Sequence, residues 1–324
     1  MITKVPARIL ASLFFVTAVA GISSSAAAQQ CTLKLMAELP ITDRSELFTV
    51  PVSVNGEQHQ FLVDTGGVYS ALVESVVQRQ QLKEVSITGT DAYNTKGERL
   101  AKGVSVDSLK LGNNEAKNFH MFVLDNIGQD VDGIVAPDLL QLFDVELDFA
   151  AHKMILFSPD HCAGKVVHWA KEYADIPFKM PDGFHVLVPV TLDGHTLMAQ
   201  LDTGASTTVL SQRIAEDVFS AGPNKPGTEQ HPGAQPQDQI QYEHRFQSLA
   251  FGGVSVKNPL IALLPDDMER AMRKRYDAKS ENDPVYGFQP NLPRLTIGQD
   301  VLRRLHIYIA YKEQVMYVTP VDAH

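Results

Sequence analysis

Two short stretches hold side chains suited to chemistry. In "QFLVDTGGVY" (60–69), the apolar run Phe61, Leu62, Val63 ends on Asp64, followed by Thr65, Gly66 and Gly67. In "AQLDTGASTTVL" (199–210), Leu201 runs into Asp202, Thr203, Gly204 and Ala205, 138 residues further on. A carboxylate closing an apolar strand is costly to bury unless hydrogen-bond donors stabilise it. A glycine just after it lets the backbone turn tightly and aim N–H groups at the acid. The threonine hydroxyl is left to hydrogen-bond across to a second copy. One such loop alone is an ordinary turn former. Two related loops meeting near a pseudo-two-fold axis would bring Asp64 to face Asp202. Carboxylates about 3 Å apart do not both ionise readily, so one is pushed up and the pair shares a proton. Such a pair can hold a water: the ionised member takes its proton as general base, and the protonated member donates to a carbonyl oxygen. That chemistry hydrolyses amide bonds without a metal or a covalent intermediate.

The elements that must position these acids repeat as well. "VPVSVNGEQHQFLVDTG" (50–66) and "VPVTLDGHTLMAQLDTG" (188–204) align without a gap. Val50, Val52 and Val54 alternate, as do Val188, Val190 and Leu192, which is the period of a half-buried strand. Asn-Gly in one copy faces Asp-Gly in the other, and both are hairpin dipeptides. The match continues from "VDSLKLGNNEAKNF" (106–119) to "FQSLAFGGVSVKNP" (246–259), and from "APDLLQLFDVELDF" (136–149) to "GQDVLRRLHIYIAY" (298–311). Upstream, "LPI" (39–41) answers "IPF" (176–178). Two copies of one mostly β unit are therefore expected. Short helices are expected over 69–82 and 206–219, and again near "APDLLQLF" and "GQDVLRRL". The boundaries are residues 29–160 for the first lobe, 161–168 for the linker and 169–324 for the second lobe. The lone Trp169 falls at the junction and reads as core.

The bulk numbers set limits. The 324 residues are 44% apolar and 20% charged, ordinary for a folded chain with a sizeable core. A formal net charge of −10 gives no electrostatic footprint for nucleic acid. Residues 1–28 read as a secretory signal peptide: Lys4 and Arg8, then an apolar run over 9–22 too short to span a bilayer comfortably, then Ala26-Ala27-Ala28. The mature protein is thus expected in the periplasm or outside the cell, with no membrane anchor. Its two cysteines, Cys31 and Cys162, are expected to form one disulfide in such a compartment. No Cys/His spacing suggests a metal site. No Gly-x-Ser-x-Gly elbow suggests a serine hydrolase, and the Gly-containing turns "LKLGNNE" and "LAFGGVS" open no phosphate-binding helix. The Pro/Gly/Gln-rich 221–239 reads as a loop, and the charged 267–283 as a solvated insertion.

The paired motifs resemble those of the retropepsin-like and pepsin-like aspartic proteases. The carriers are Leu62-Val63-Asp64-Thr65-Gly66-Gly67 and Gln200-Leu201-Asp202-Thr203-Gly204-Ala205, with distal elements Ile134-Val135-Ala136 and Thr296-Ile297-Gly298. The resemblance covers nearly the whole mature chain. It implies a mainly β fold of two pseudo-two-fold-related β-barrel lobes with short helices, and Asp64 and Asp202 as a catalytic dyad. Thr65 and Thr203 would bond across the lobes. Gly66 and Gly204 would make the turns beside Ala205. No cofactor is implied. The implied substrate is an extended peptide or protein, and a monomer would build the whole site as an intramolecular pseudo-dimer. A flap hairpin is expected over 86–103, with its turn near Asn94-Thr95-Lys96-Gly97 and Tyr93 over the substrate; the second lobe's flap would be unequal. The chain departs from the pattern at Gly67, where Ser, Thr or Ala is usual, at Gln200, where an apolar residue is usual, and at Ala136. There a methyl replaces the distal glycine and would crowd the loop. A peptide-binding protein on the same fold, without catalysis, is the rival reading.

Overall fold

The computed structural model describes residues 32–44, 47–87, 92–93, 99–100, 102–128, 130–231, 241–265 and 295–321. The signal peptide, Cys31, the turn 94–97, the charged insertion 267–283 and residues 232–239 of the Pro/Gly/Gln-rich loop lie outside the described residues. The Cys31–Cys162 pairing lies outside them too.

The alternating valines form the expected hairpins. Leu47–Val54 pairs antiparallel with Glu57–Val63, and Leu187–Leu192 pairs likewise with His195–Leu201. Both turns carry two consecutive residues at positive φ: Asn55 and Gly56 (51° and 90°), Asp193 and Gly194 (43° and 85°). That is the turn whose twist matches the flanking strands, and Asn and Gly tolerate it best.

Each strand that ends on an aspartate is then held in the middle of its lobe. Phe61, Leu62 and Val63 run parallel to Gly133, Ile134 and Val135; Ala199, Gln200 and Leu201 run parallel to Leu295, Thr296 and Ile297. The aspartate N–H closes each ladder, from Asp64 to the Val135 carbonyl and from Asp202 to the Ile297 carbonyl, both 3.0 Å. Among the described residues, the first lobe's sheet has eight strands and the second's nine.

The helices expected over 69–82 and 206–219 start later than their apolar pattern suggested. Ala71–Val73 and Val209–Ser211 are strands, and the helices are Glu74–Gln80 and Gln212–Phe219. The cause is tertiary. Ala71, Leu72 and Val73 are buried and lie between two strands, parallel to Phe122–Leu124 and antiparallel to Gly133-Ile134. A helix there would leave each neighbour unpaired on that side. The short helices Pro137–Leu140 and Gln299–Leu302 stand where expected.

A six-stranded sheet joins the halves. Its order is Leu35–Pro40, Lys153–Phe157, Asp144–Asp148, Leu305–Ala310, Val315–Pro320, Ala174–Pro177. Three strands come from each repeat, and the seam is the antiparallel pair Asp144–Asp148 with Leu305–Ala310. Two carboxylates are buried at that seam with their partners. Glu146 accepts from His168 at 2.8 Å and His306 at 2.9 Å, and Asp144 from His161 and from the Tyr308 hydroxyl at 3.2 Å. Trp169 stacks on His306 with centroids 4.1 Å apart and donates to Thr319 Oγ1. It is partly buried, consistent with a packing role.

Candidate active site

The two Asp-Thr-Gly loops meet between the lobes. The Thr65 N–H donates to Thr203 Oγ1 and the Thr203 N–H to Thr65 Oγ1, both 3.0 Å. Each hydroxyl in turn donates to a carbonyl of the opposite lobe, Thr65 to Leu201 at 3.0 Å and Thr203 to Val63 at 2.7 Å. Both threonines are fully buried, so every one of these groups depends on the other lobe. Thr65→Val or Thr203→Val removes an acceptor from a buried N–H and a donor from a carbonyl. Each substitution is expected to lower unfolding free energy by about 3 kcal/mol, read as a lower denaturant midpoint at unchanged m-value.

The same grip brings the carboxylates together. Within its own loop, Asp64 Oδ1 accepts from the Gly66 N–H at 2.9 Å and the Gly67 N–H at 2.8 Å. Asp202 Oδ1 accepts from Gly204 at 2.8 Å and Ala205 at 3.1 Å. Each loop glycine faces the opposite acid. A Cβ on Gly66 would lie 2.2 Å from Asp202 Cγ, and one on Gly204 would lie 2.4 Å from Asp64 Oδ1. Burial, and then the charge of Asp64, push Asp202 up to about 7. Burial also raises Asp64, against the pull of the Gly67 and Gly66 N–H groups and of a hydrogen bond with Asp202. One proton is therefore shared by the pair near neutrality.

The loops rest on a second repeated arrangement that sequence reasoning missed. Ser70 donates to Asp138 through its N–H at 3.0 Å and its hydroxyl at 2.6 Å, and accepts from the Ala136 N–H at 3.0 Å. In the other lobe Thr208 does the same with Asp300 at 2.8 and 2.6 Å, and accepts from the Gly298 N–H at 3.0 Å. Burial raises both acids, Asp138 to about 6. The signal was present in the sequence, since Ser70/Thr208 and Asp138/Asp300 coincide when the halves are aligned.

Ala136 does not crowd the loop. Its backbone (φ −114°, ψ 176°) matches that of Gly298 (φ −93°, ψ −177°), an extended conformation open to any residue. Gly298 is tight because Thr207 is close: an added Cβ would meet its carbonyl carbon at 2.5 Å. There the Gln299 N–H bonds to the Ala205 carbonyl at 2.9 Å and draws the loop in. The first lobe has Pro137 at that position, which carries no N–H. The bond is missing and the methyl is accommodated.

The departure at Gln200 is also put to use. Its Nε2 donates across the lobes to the Gly66 carbonyl at 3.4 Å. That oxygen has a second partner that the sequence did not reveal, His185 Nε2 at 2.9 Å.

Where the flap was expected, Ala92–Tyr93 pairs antiparallel with Arg99–Leu100. Ala92 packs with Ala71 and Phe122, near Ile87 and Leu100, above the strand that follows the Asp64 loop. The counterpart in the second lobe is longer, Thr228–His231 on Gln241–Arg245. The flaps are unequal over the described residues. Beside the first lies an open cavity of about 350 Å³ lined by Tyr69, Ile87, Phe119, Phe122 and Asp138, among others.

A family model described as "Aspartyl protease" matches residues 50–138 and 188–301. Among solved structures, that of basic 7S globulin from soybean is similar over 90% of this chain and 96% of its own, at 11% identity and a TM-score of 0.51. That of the aspartic proteinase from Irpex lacteus covers 89% of this chain and 98% of its own, at 13% identity and a TM-score of 0.49. At 11% identity the likeness to the soybean globulin speaks for the fold alone. A comparison with curated protein sequences finds no match.

Proposed function

Because this chain belongs to the aspartyl protease family, we propose that it is an endopeptidase that cleaves extended peptides through a water held between Asp64 and Asp202. The observation that supports this most directly is the mutual approach of the two acids, each within reach of the opposite loop glycine. The pair shares one proton; in this proposal Asp202 is its holder and Asp64 the base. Asp64 takes a proton from the water as its oxygen attacks the peptide carbonyl, while the Asp202 O–H donates to the carbonyl oxygen and stabilises the tetrahedral intermediate. Returning a proton to the leaving amine restores the pair. The Gly66, Gly67, Gly204 and Ala205 N–H groups fix the carboxylates so that neither rotates during the reaction.

The substrate backbone is proposed to pair with the flap strands as an added strand, with Tyr93 over it. The Tyr69–Phe122 cavity would take an apolar side chain. One chain carries both acids, so a monomer suffices. Among the described residues no helix is long and apolar enough to cross a membrane. Export to the periplasm or medium, with cleavage after Ala28, is part of the proposal and is read from the N-terminal residue of the recovered protein. So is the Cys31–Cys162 bridge, read from the mass of alkylated protein before and after reduction.

The test is incubation of purified protein with a mixed peptide library at mildly acid pH, with and without a statine-type transition-state analogue. Cleavage blocked by the analogue is expected. Peptide binding without turnover would replace the enzyme reading with that of a binding protein.

A further inference from the structure

The turn Asp182-Gly183-Phe184-His185 precedes the first strand pair of the second lobe, yet two of its side chains reach the first lobe. Phe184 packs edge-on against Tyr69, centroids 5.7 Å apart. His185 Nε2 meets the Gly66 carbonyl at 2.9 Å. The turn is preset: Gly183 sits at φ +79°, and Asp182 Oδ1 accepts from the Phe184 and His185 N–H groups, both 2.9 Å. Asp182 Oδ2 faces His185 Nδ1.

Both partners of the ring are acceptors. A carbonyl oxygen has no proton to give, and an ionised carboxylate has none either. A neutral imidazole carries one N–H and satisfies only one of them, whereas an imidazolium satisfies both. The ring is mostly buried, with 16% of its side chain exposed, so an unmet contact would not be made good by water. The titratable groups facing it are Asp182 on its own turn and Asp202 and Asp64 from the two loops. The repeat has no equivalent: Leu47 stands at the matching position of the first half.

We propose that His185, locked by Asp182, is a positioning residue of the aspartate pair: as an imidazolium it holds the Gly66 carbonyl, and with it the Asp64 loop, from the opposite lobe, and places a fixed positive charge beside the two acids. This rests on the peptidase reading for its catalytic consequence but not for its electrostatics. Burial alone would lower His185, but the hydrogen bond and charge of Asp182 hold it above its usual range. Burial alone would raise Asp182, and His185 holds it below its usual range. The cation in turn favours the ionised form of both Asp64 and Asp202. It therefore shifts the single-proton window of the pair toward lower pH.

Two measurements test this. The first is a ring-proton NMR titration of His185 in wild type, the double variant Asp64→Asn/Asp202→Asn and Asp182→Asn. Coupling is reciprocal, so removing the charge of the pair should lower the His185 midpoint by about half a unit, and Asp182→Asn by about one unit or more. The second is the pH profile of kcat/KM for His185→Gln, whose amide can still donate to Gly66 but carries no charge. Both limbs should move to higher pH by about half a unit, with KM little changed. A His185 midpoint that is the same in wild type and in Asp64→Asn/Asp202→Asn overturns the proposal. So does a uniform fall in kcat for His185→Gln with the limbs unmoved, which would mark a merely structural latch. If wild type cleaves no peptide, the peptidase reading alone falls, and the titration still decides the coupling.

Discussion

Asp202→Asn is expected to reduce peptide hydrolysis by about 10³-fold while leaving the fold intact, and Asp64→Asn to do the same. The amide is nearly the size of the acid and can still accept from Gly204 and Ala205. What it lacks is the exchangeable proton that Asp202 keeps up to about pH 7. The wild-type profile should show the same group. As pH rises through about 7 the pair loses its last proton, the donor to the substrate carbonyl disappears, and kcat/KM falls. At the acid end the pair takes up a second proton and the general base is lost. Initial rates on one peptide across pH, with circular dichroism as the check on folding, measure both effects. Wild-type turnover in either variant would remove the dyad from the mechanism.

Gly66→Ala is expected to cost at least about 10²-fold in activity. Its Cβ would lie 2.2 Å from Asp202 Cγ and 2.4 Å from both carboxylate oxygens, so the loop or the acid must move. Neither can move freely, because the neighbouring Thr65 is tied to the opposite lobe by three buried hydrogen bonds. Overpacking of this kind also destabilises, by about 1–3 kcal/mol. Gly67→Ala supplies the graded control. Its Cβ would press on its own loop's Asp64, Oδ2 at 2.8 Å and Cγ at 3.2 Å, a milder squeeze, and alanine already stands at the equivalent position 205 of the other lobe. The expected order of activity is wild type, then Gly67→Ala, then Gly66→Ala. Equal activity in the two variants would mean that the carboxylates are not held face to face.

What the sequence showed, and what it did not, follows from whether a feature repeats. The hairpins over 50–63 and 188–201, the paired acids and the cross-lobe threonines are all present twice, and a feature present twice is easily seen. Ser70–Asp138 and Thr208–Asp300 are present twice as well. They were passed over because a hydroxyl and an acid far apart in the chain carry no local sign of meeting. Ala71–Val73 reads as part of a helix because its apolar residues fit that period. Only the strands on either side, contributed by residues around 122 and 134, make it a strand. His185 occurs once, with Leu47 at the matching position of the other half, and only the folded chain brings it to Gly66. Ala136 looked like a defect because the effect of Pro137, a missing N–H next door, appears only when the two loops are compared in space.

The seam of the six-stranded sheet has a consequence for ancestry and for engineering. Either half alone would expose the edge of Asp144–Asp148 or Leu305–Ala310, rows of unpaired backbone groups that invite another copy. A freed half would thus tend to make a symmetric homodimer, in which any side chain on one side of the axis must appear on the other. Covalent concatenation lifts that obligation. It permits one imidazole where symmetry would demand two, so the two acids sit in unlike surroundings although their loops are copies of each other.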